Sequence, residues 1–305
     1  MNVLAPIVLF VYNRPLHTQA TLEYLEKNDL ASGSELFIFA DGKKENISSQ
    51  ELNSFLETQK IINQKWRFQK ICVVEREKNY GLADNITAGV TQIVAQYGRV
   101  IVLEDDLLTS KFFLKYMNDA LNYYENEPKV MHISGYTQAV GLKLPQTFFY
   151  NMPSSWGWAT WQRAWQFFEV DIETSWRRLN ELKQVEKFDL DGSKHFRAHI
   201  MLNINGERKT WAIRWCLSVF FKGGFCLLPQ QSLVKNIGFD SSGETKIRSN
   251  FYQNEVFGEA ITVGRVPIKE HKKYRKIMRD LYCYGGTSFA HKCRFYIEKL
   301  KAMLK

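Results

Sequence analysis

Glu104, Asp105 and Asp106 follow directly on four apolar residues at 100–103, in the stretch Arg-Val-Ile-Val-Leu-Glu-Asp-Asp. Carboxylates are hard oxygen ligands, and a cluster of them suits Mg2+ or Mn2+. Such a cation most often bridges a diphosphate, where it neutralises charge building on a leaving group. Asp41 ends another apolar run and offers a carboxylate to a base or ribose. Arg14 and Arg76 can pair with phosphate oxygens. Trp156-Gly157-Trp158 offers flat walls to a sugar ring, and Gly157 lets the backbone come close. Used together, these groups suit transfer of a sugar from a nucleotide-diphosphate sugar to an acceptor hydroxyl. Each also has a plainer reading: acids in a solvated turn, tryptophans in the core, Arg14 as a surface charge after a strand.

Those residues can cooperate only if the fold brings them to one rim. Short apolar runs at 7–12, 36–40, 71–75 and 100–103 read as strands, and helical patterns cover 17–27, 48–64 and 83–97. Ser48 with Glu51 makes a capping box, and Gly98 closes the third helix. Strand and helix thus alternate three times, which implies right-handed crossovers and a parallel sheet. Asn13 and Arg14, Asp41, 76–81 and 104–106 then project from the same edge, where open α/β sheets bind ligands. Beyond it, a helix is expected at 112–126 and strands at 130–134 and 148–150. A helix is expected to open in 154–161 and run to 168, and a polar helical insertion to cover 171–208. A helix at 211–220, a strand at 225–228 and a loop at 238–248 complete the reading. The expected class is α/β: a mostly parallel central sheet flanked by helices, with a C-terminal amphipathic helical tail. Residues 1–268 form the catalytic domain, with a nucleotide-binding half (1–106) and an acceptor-binding half (107–268), and 269–305 form the tail.

Hydrophobic content of 45% and charged content of 24% are those of a soluble globular chain. The five cysteines are widely spaced without a CxxC pair, which reads as reduced thiols in a cytosolic compartment. No apolar run reaches the roughly 18 residues that span a bilayer. His195 and His199, four apart, lack a third ligand and read as solvated. Of the net charge of +9, most lies in the tail, where eleven Lys or Arg stand against three acids. A nucleic-acid binder would spread its charge over a folded face, so no nucleic-acid partner is expected. In the tail, Phe289, Cys293, Tyr296, Ile297, Leu300, Met303 and Leu304 make an apolar stripe beside basic residues. That pattern suits an anionic membrane surface. The expected location is the cytoplasm, with peripheral attachment to the inner face of the cell membrane.

Asn13-Arg14-Pro15, Asp41, Asn79-Tyr80-Gly81-Leu82 with Asn85, Glu104-Asp105-Asp106 and Trp156-Gly157-Trp158, in that order, resemble GT-A-fold glycosyltransferases. Bacterial polysaccharide and lipopolysaccharide sugar transferases are the most similar, and these resemble eukaryotic N-acetylglucosaminyltransferase I in turn. The resemblance covers residues 5–246 and implies a Rossmann-like GT-A sheet. It implies Asp106 as the ligand of Mn2+ or Mg2+, Glu104 and Asp105 near ribose and phosphate, and Asp41 against the base. Tyr12, Asn13 and Arg14 would line the nucleotide pocket with Arg76, Asn79 and Gly81. Trp156, Gly157, Trp158, Trp211 and Arg214 would serve sugar and acceptor, Arg214 being equally a cation–π packing element. Residues 236–240 would begin a loop that orders over bound donor.

Two departures bear on the proton acceptor. Where N-acetylglucosaminyltransferase I has acids between the tryptophans of one helix, this chain has Ala212, Ile213 and Arg214. The histidine that related bacterial sequences carry after the Gly-Phe loop is missing from 243–246. A base is still needed near the acceptor hydroxyl, which leaves Asp240 or Glu244 as the nominated catalytic residues. The expected activity is a hexosyl- or N-acetylhexosaminyltransferase, inverting, acting on a glycan or lipid-linked glycan in bacterial surface polysaccharide or glycolipid assembly. The alternatives are a catalytically degenerate scaffold and a sugar-phosphate nucleotidyltransferase. The latter would favour a glycine-rich first loop, and 11–16 contains no glycine.

Overall fold

Strands apolar on both faces must lie inside a sheet covered on both sides. Ile7–Val11 (β1), Glu35–Ala40 (β2) and Arg99–Glu104 (β4) are of this kind in the computed structural model, which describes residues 4–139, 142–240 and 258–284. Lys70–Glu75 (β3) is more exposed, as befits its place at the sheet edge. The four pair in parallel in the order β3-β2-β1-β4. Pro15–Leu25 (α1), Ser49–Ile62 (α2) and Leu82–Tyr97 (α3) make the crossovers. Local chemistry sets their ends. Pro15 occupies the first turn of α1, Ser48 and Glu51 form the reciprocal capping box of α2, and Gly98 terminates α3 in the left-handed region at φ 75°.

The second half widens the sheet. Among the described residues it adds Val130–Ser134 (β6), Thr147–Tyr150 (β7), Trp158–Trp161 (β8) and Phe225–Pro229 (β9), continuing as β4-β8-β6-β9-β7. Strand β8 runs antiparallel to both neighbours, and four of the seven neighbour pairings are parallel. The class is therefore the expected mixed α/β, with helices on both faces. Leu107–Thr109 (β5) and Val234–Asn236 (β10) form a separate antiparallel ribbon. These two strands were not expected, because three residues are too short to show a period.

The stretch expected to open a helix is a strand instead. Trp158–Trp161 is buried at all four positions between β4 and β6, and only Gln162–Trp165 (α5) turns helical. The polar insertion does fold as helices, Ile172–Glu181 (α6), Val185–Phe188 (α7) and His195–Ile204 (α8), which precede Trp211–Phe221 (α9). Phe113–Tyr123 (α4) packs on the opposite face of the sheet, through Phe113, Tyr116, Met117 and Leu121.

Much of the high aromatic content sits on one face of the sheet. Trp158 stacks on Trp211 at 4.9 Å and on His132 at 5.3 Å, and Trp165 packs at 5.0 Å on Trp215. The first part of the tail, Lys272–Tyr284 (α10), docks on the domain. Tyr274 is buried 4.9 Å from Phe148 and 5.2 Å from Tyr150, and Arg275 pairs with Asp191 and Glu270. His195 and His199 are half-buried, with Tyr282 stacked 4.2 Å above His195, so they are not the solvated pair expected. The apolar stripe from Phe289 onward lies outside the described residues. No helix among the described residues is long and apolar enough to cross a membrane.

Within the aromatic layer, Nδ1 of His132 accepts from Trp215 Nε1 at 3.1 Å. Burial pushes the imidazole pKa down to about 3, against the ordinary value near 6.5. The folded value is the lower one, so this contribution to stability is whole above pH 6.5 and shrinks as pH falls below it. The loss is about 1.4 kcal/mol per pH unit. Urea unfolding between about pH 6 and about pH 5 should show a slope that falls by about 1.4 kcal/mol per pH unit in His132→Gln. His195 and His199, whose pKa values burial also lowers, supply slope of the same sign that remains.

Candidate functional site

Parallel pairing of β1 to β4 brings the residues that follow each strand to one edge. At its centre Arg14, the N-cap residue of α1, reaches across to the residues after β4. Its guanidinium grips both oxygens of Asp105, with Nε at 3.3 Å from Oδ2 and Nη2 against Oδ1, while Nη1 lies 3.0 Å from Asp106 Oδ2. Thr21, two turns along α1, donates to the backbone carbonyl of Asp105 at 2.7 Å. Burial opposes the Arg14 charge, but the two carboxylates outweigh it and raise its pKa. Burial likewise raises the pKa of Asp105, with Arg14 opposing. Pairing is what lets both charges sit here, since an isolated buried charge is costly.

Asp41 has different work. Its Oδ1 accepts from the amides of Gly42 and Tyr80 at 2.9 and 2.8 Å. Its Oδ2 accepts from the Gly81 amide at 2.9 Å and from Asn79 Nδ2 at 3.1 Å. Four bonds fill a carboxylate's acceptor sites. Asp41 is thus a clasp for the 79–81 loop, which packs so closely that a Cβ on Gly42 would fall 2.3 Å from the Lys78 carbonyl carbon. Asn79 works in the same clasp, bonding Gly42 O at 2.8 Å. Arg76 lies between the rings of Phe39 and Tyr80 at 4.9 and 5.0 Å and donates through Nε to Asn85 Oδ1 at 3.0 Å. Its Nη2 is buried without a hydrogen-bond partner among the described residues. Beside this loop a cleft of about 340 Å3 opens, lined by Tyr80, Gly81, Leu82, Asp84, Arg208 and Lys209. Tyr12 and Asn13 follow β1 and are half-buried; Tyr12 packs 6.0 Å from Phe55 and under Lys44. Glu104 ends β4, half-buried.

A strap crosses the acids. The β5–β10 ribbon carries the chain over the rim, and the Ile237 amide donates to Asp106 O at 2.9 Å. Gly238 rests on the Asp106 side chain, where a Cβ would stand 2.2 Å from Oδ2 and 3.2 Å from Arg14 Nη1. Phe239 packs edge-on at 5.5 Å to Trp156, which meets Tyr136 at 4.4 Å. Asp240 Oδ2 lies 3.2 Å from His17 Nε2.

Trp156 and Asp240 therefore stand at the rim that Arg14, Asp105 and Asp106 share, and several other expected residues do not. Trp158 is fully buried and Trp211 nearly so, stacked on one another in the core, so neither presents a face to a ligand. Arg214 spends its guanidinium on Val170 O, Asn203 Oδ1 and Thr210 O, which makes it a brace between the insertion and α9. Gly157 has φ 59°, and a Cβ there would strike Val234 Cγ1 at 2.8 Å, so the ribbon rather than a sugar requires its smallness. Glu244 lies outside the described residues. Sequence reasoning missed His17, although it falls one helical turn after Arg14 on a helix that Pro15 starts.

No protein-family model matches the sequence, and no curated protein matches it. Solved structures share parts of it. TarS of S. aureus is 18% identical over 47% of this chain and 23% of its own, with a TM-score of 0.31. A Pyrobaculum calidifontis mannosyltransferase, solved with GDP-Man and Mn2+, is 11% identical over 52% of this chain and 44% of its own, with a TM-score of 0.33. Mouse xyloside xylosyltransferase 1 is 10% identical over 72% and 82%, with a TM-score of 0.36. The matched region spans under half the length of the first two chains.

The contact of Gly238 with Asp106 has a direct consequence. Gly238→Ala should cost about 1–3 kcal/mol in urea unfolding, because Arg14 pins the carboxylate that must move. Gly264→Ala, where a Cβ meets nothing within 4 Å, should leave stability within about 0.5 kcal/mol.

Proposed function

We propose that this chain is a glycosyltransferase that binds a nucleotide-diphosphate sugar at the carboxyl edge of β1 to β4 and passes the sugar to an acceptor hydroxyl. The observation that carries this reading is the meeting of Arg14, Asp105 and Asp106 under a strap that also brings Trp156 and Asp240 to the rim. An arginine fork matches phosphate oxygens as well as it matches carboxylates. Arg14 can therefore exchange one acid for the donor's diphosphate without losing a charged partner. The 340 Å3 cleft, with the exposed ring of Tyr80 backed by Arg76, provides a stacking surface for the nucleoside end. Asp41 contributes by fixing the loop that carries Tyr80.

The acids suit a divalent ion shared with the substrate. Among the described residues no three His, Cys, Asp or Glu side chains group to cage a metal. Mg2+ is commonly held by one or two carboxylates together with substrate phosphates, and Asp106, beside Asp105, offers that donor set. When bound, Mn2+ or Mg2+ neutralises charge gathering on the departing diphosphate. The chain's own residues do the remaining tasks. Arg14 orients the phosphates, Trp156 offers an apolar wall to the sugar, and the strap excludes water. Asp240, half exposed, accepts the proton of the acceptor hydroxyl. The acceptor oxygen bonds the anomeric carbon as the bond to the diphosphate oxygen breaks with its electron pair, and in-line attack inverts the configuration. A hexosyl or N-acetylhexosaminyl donor and a glycan or lipid-linked glycan acceptor, in assembly of bacterial surface polysaccharide or glycolipid, complete the proposal. The basic tail, with Lys272, Lys273 and Lys276 exposed on α10, would hold the protein at an anionic inner membrane face.

One observation favours a second reading, a catalytically silent nucleotide-sugar binder: Arg14 already neutralises the acids that would hold the metal. A single experiment separates the two. With Mn2+ and a panel of UDP-, GDP- and CDP-sugars, the enzyme should gain several degrees in Tm with one donor and hydrolyse it slowly. Asp106→Ala should abolish both effects. Stabilisation without hydrolysis or transfer would favour the silent binder, and no response to any donor would sink both.

A further inference from the structure

We infer that His17 is a positioning residue, which fixes Asp240 and through it the strap that lies over Asp105 and Asp106. The inference rests on the site reading above, and deepens it by naming what orients the proposed proton acceptor. His17 stands in the first turn of α1, three residues beyond Arg14. Its side chain is 13% exposed, whereas Asp240 is 49% exposed. His17 Nε2 lies 3.2 Å from Asp240 Oδ2, within ion-pair distance, and since a carboxylate can only accept, a hydrogen on Nε2 is what this contact would use.

The contact closes a ring of attachments. Helix α1 is capped by Arg14, which binds Asp105 and Asp106. Asp106 O receives the Ile237 amide, Gly238 lies on the Asp106 carboxylate, and Phe239 packs on Trp156. Asp240 then returns to α1 at His17. Four consecutive strap residues are each anchored, two on Asp106, one on Trp156 and one on His17, and the last anchor is the one that holds the carboxylate proposed to act. A half-exposed aspartate on a strap samples many rotamers unless something holds it. His17 also lies within electrostatic reach of Asp105, which Arg14 pairs, so the dyad borders the charge network of the rim. Orientation of a base by a second group follows the general logic of activated catalytic pairs, with the roles of imidazole and carboxylate exchanged.

Three variants test the link: His17→Ala, His17→Gln, which keeps an N–H near the Nε2 position, and Asp240→Asn. Two readouts are taken once each variant is shown to unfold with the wild-type Tm. The first, hydrogen exchange of peptides covering 234–240, needs no activity. His17→Ala should speed exchange of the Ile237 amide by about tenfold and His17→Gln should restore it. The second is transfer from the donor identified by the panel. His17→Ala should lower kcat by about tenfold or more, with donor KM changed by less than about threefold, and His17→Gln should recover most of it. Asp240→Asn should lower kcat further. Unchanged exchange in a folded His17→Ala protein, or unchanged kcat, overturns the role given to His17. If the wild-type protein consumes no nucleotide sugar, the functional reading fails, and the exchange measurement alone still decides whether His17 holds the strap.

Discussion

Two adjacent carboxylates at the end of a buried strand repel one another and resist burial, and the fold depends on a cation, Arg14, that reconciles them. Arg14 is placed to do so by the break after β1, where Pro15 starts α1 and leaves the preceding side chain at the helix N-cap. The ion pairs join the first parallel strand to the fourth across the sheet edge, and Thr21 secures the Asp105 backbone from the same helix. Without a partner, the buried Asp105 would lose more in desolvation than surface charges could return. The network is also one that a diphosphate can enter, because an arginine fork can trade a carboxylate for a phosphate.

Around this network the chain uses small residues and short strands to bring remote segments close. The β5–β10 ribbon is only three residues long on each side, yet it lays 237–240 across the acids. Gly238 allows that approach, and Gly157 allows the ribbon to pass over the sheet. Asp41 serves one strand away by a different device, spending its whole acceptor capacity on the 79–81 loop. The residues proposed to bind and those that support them are thus separate: Arg14 and Trp156 lie at the rim and the Tyr80 ring is exposed beside its cleft, while Asp41 and Gly238 hold what carries them.

The first half of the fold was legible because its signals are local. Apolar runs ending in polar residues, the Ser48–Glu51 box and Gly98 define β1 to β4 and the three crossovers without reference to anything distant. One rim followed from that alternation, and so did the meeting of the 13–14 and 104–106 segments. The second half depended on partners far along the chain. Trp156 and Trp158 read alike in sequence, but β8 lies between β4 and β6, which buries Trp158 and leaves Trp156 at the rim. Arg214 looked available until Val170 and Asn203 claimed its donors. His17 carried a usable signal, helical spacing from Arg14, but its partner is more than two hundred residues away and no local pattern points to it.

The coupling between Arg14 and Asp105 tests this account most directly. A double-mutant cycle of wild type, Arg14→Met, Asp105→Asn and the double variant, followed by urea unfolding, isolates that pair from its surroundings. The account predicts a coupling energy of about 2 kcal/mol or more, with Arg14→Met alone costing about 3–5 kcal/mol and the double variant recovering part of it. Additive effects, with coupling below about 0.5 kcal/mol, would contradict it and leave the rim without its central interaction.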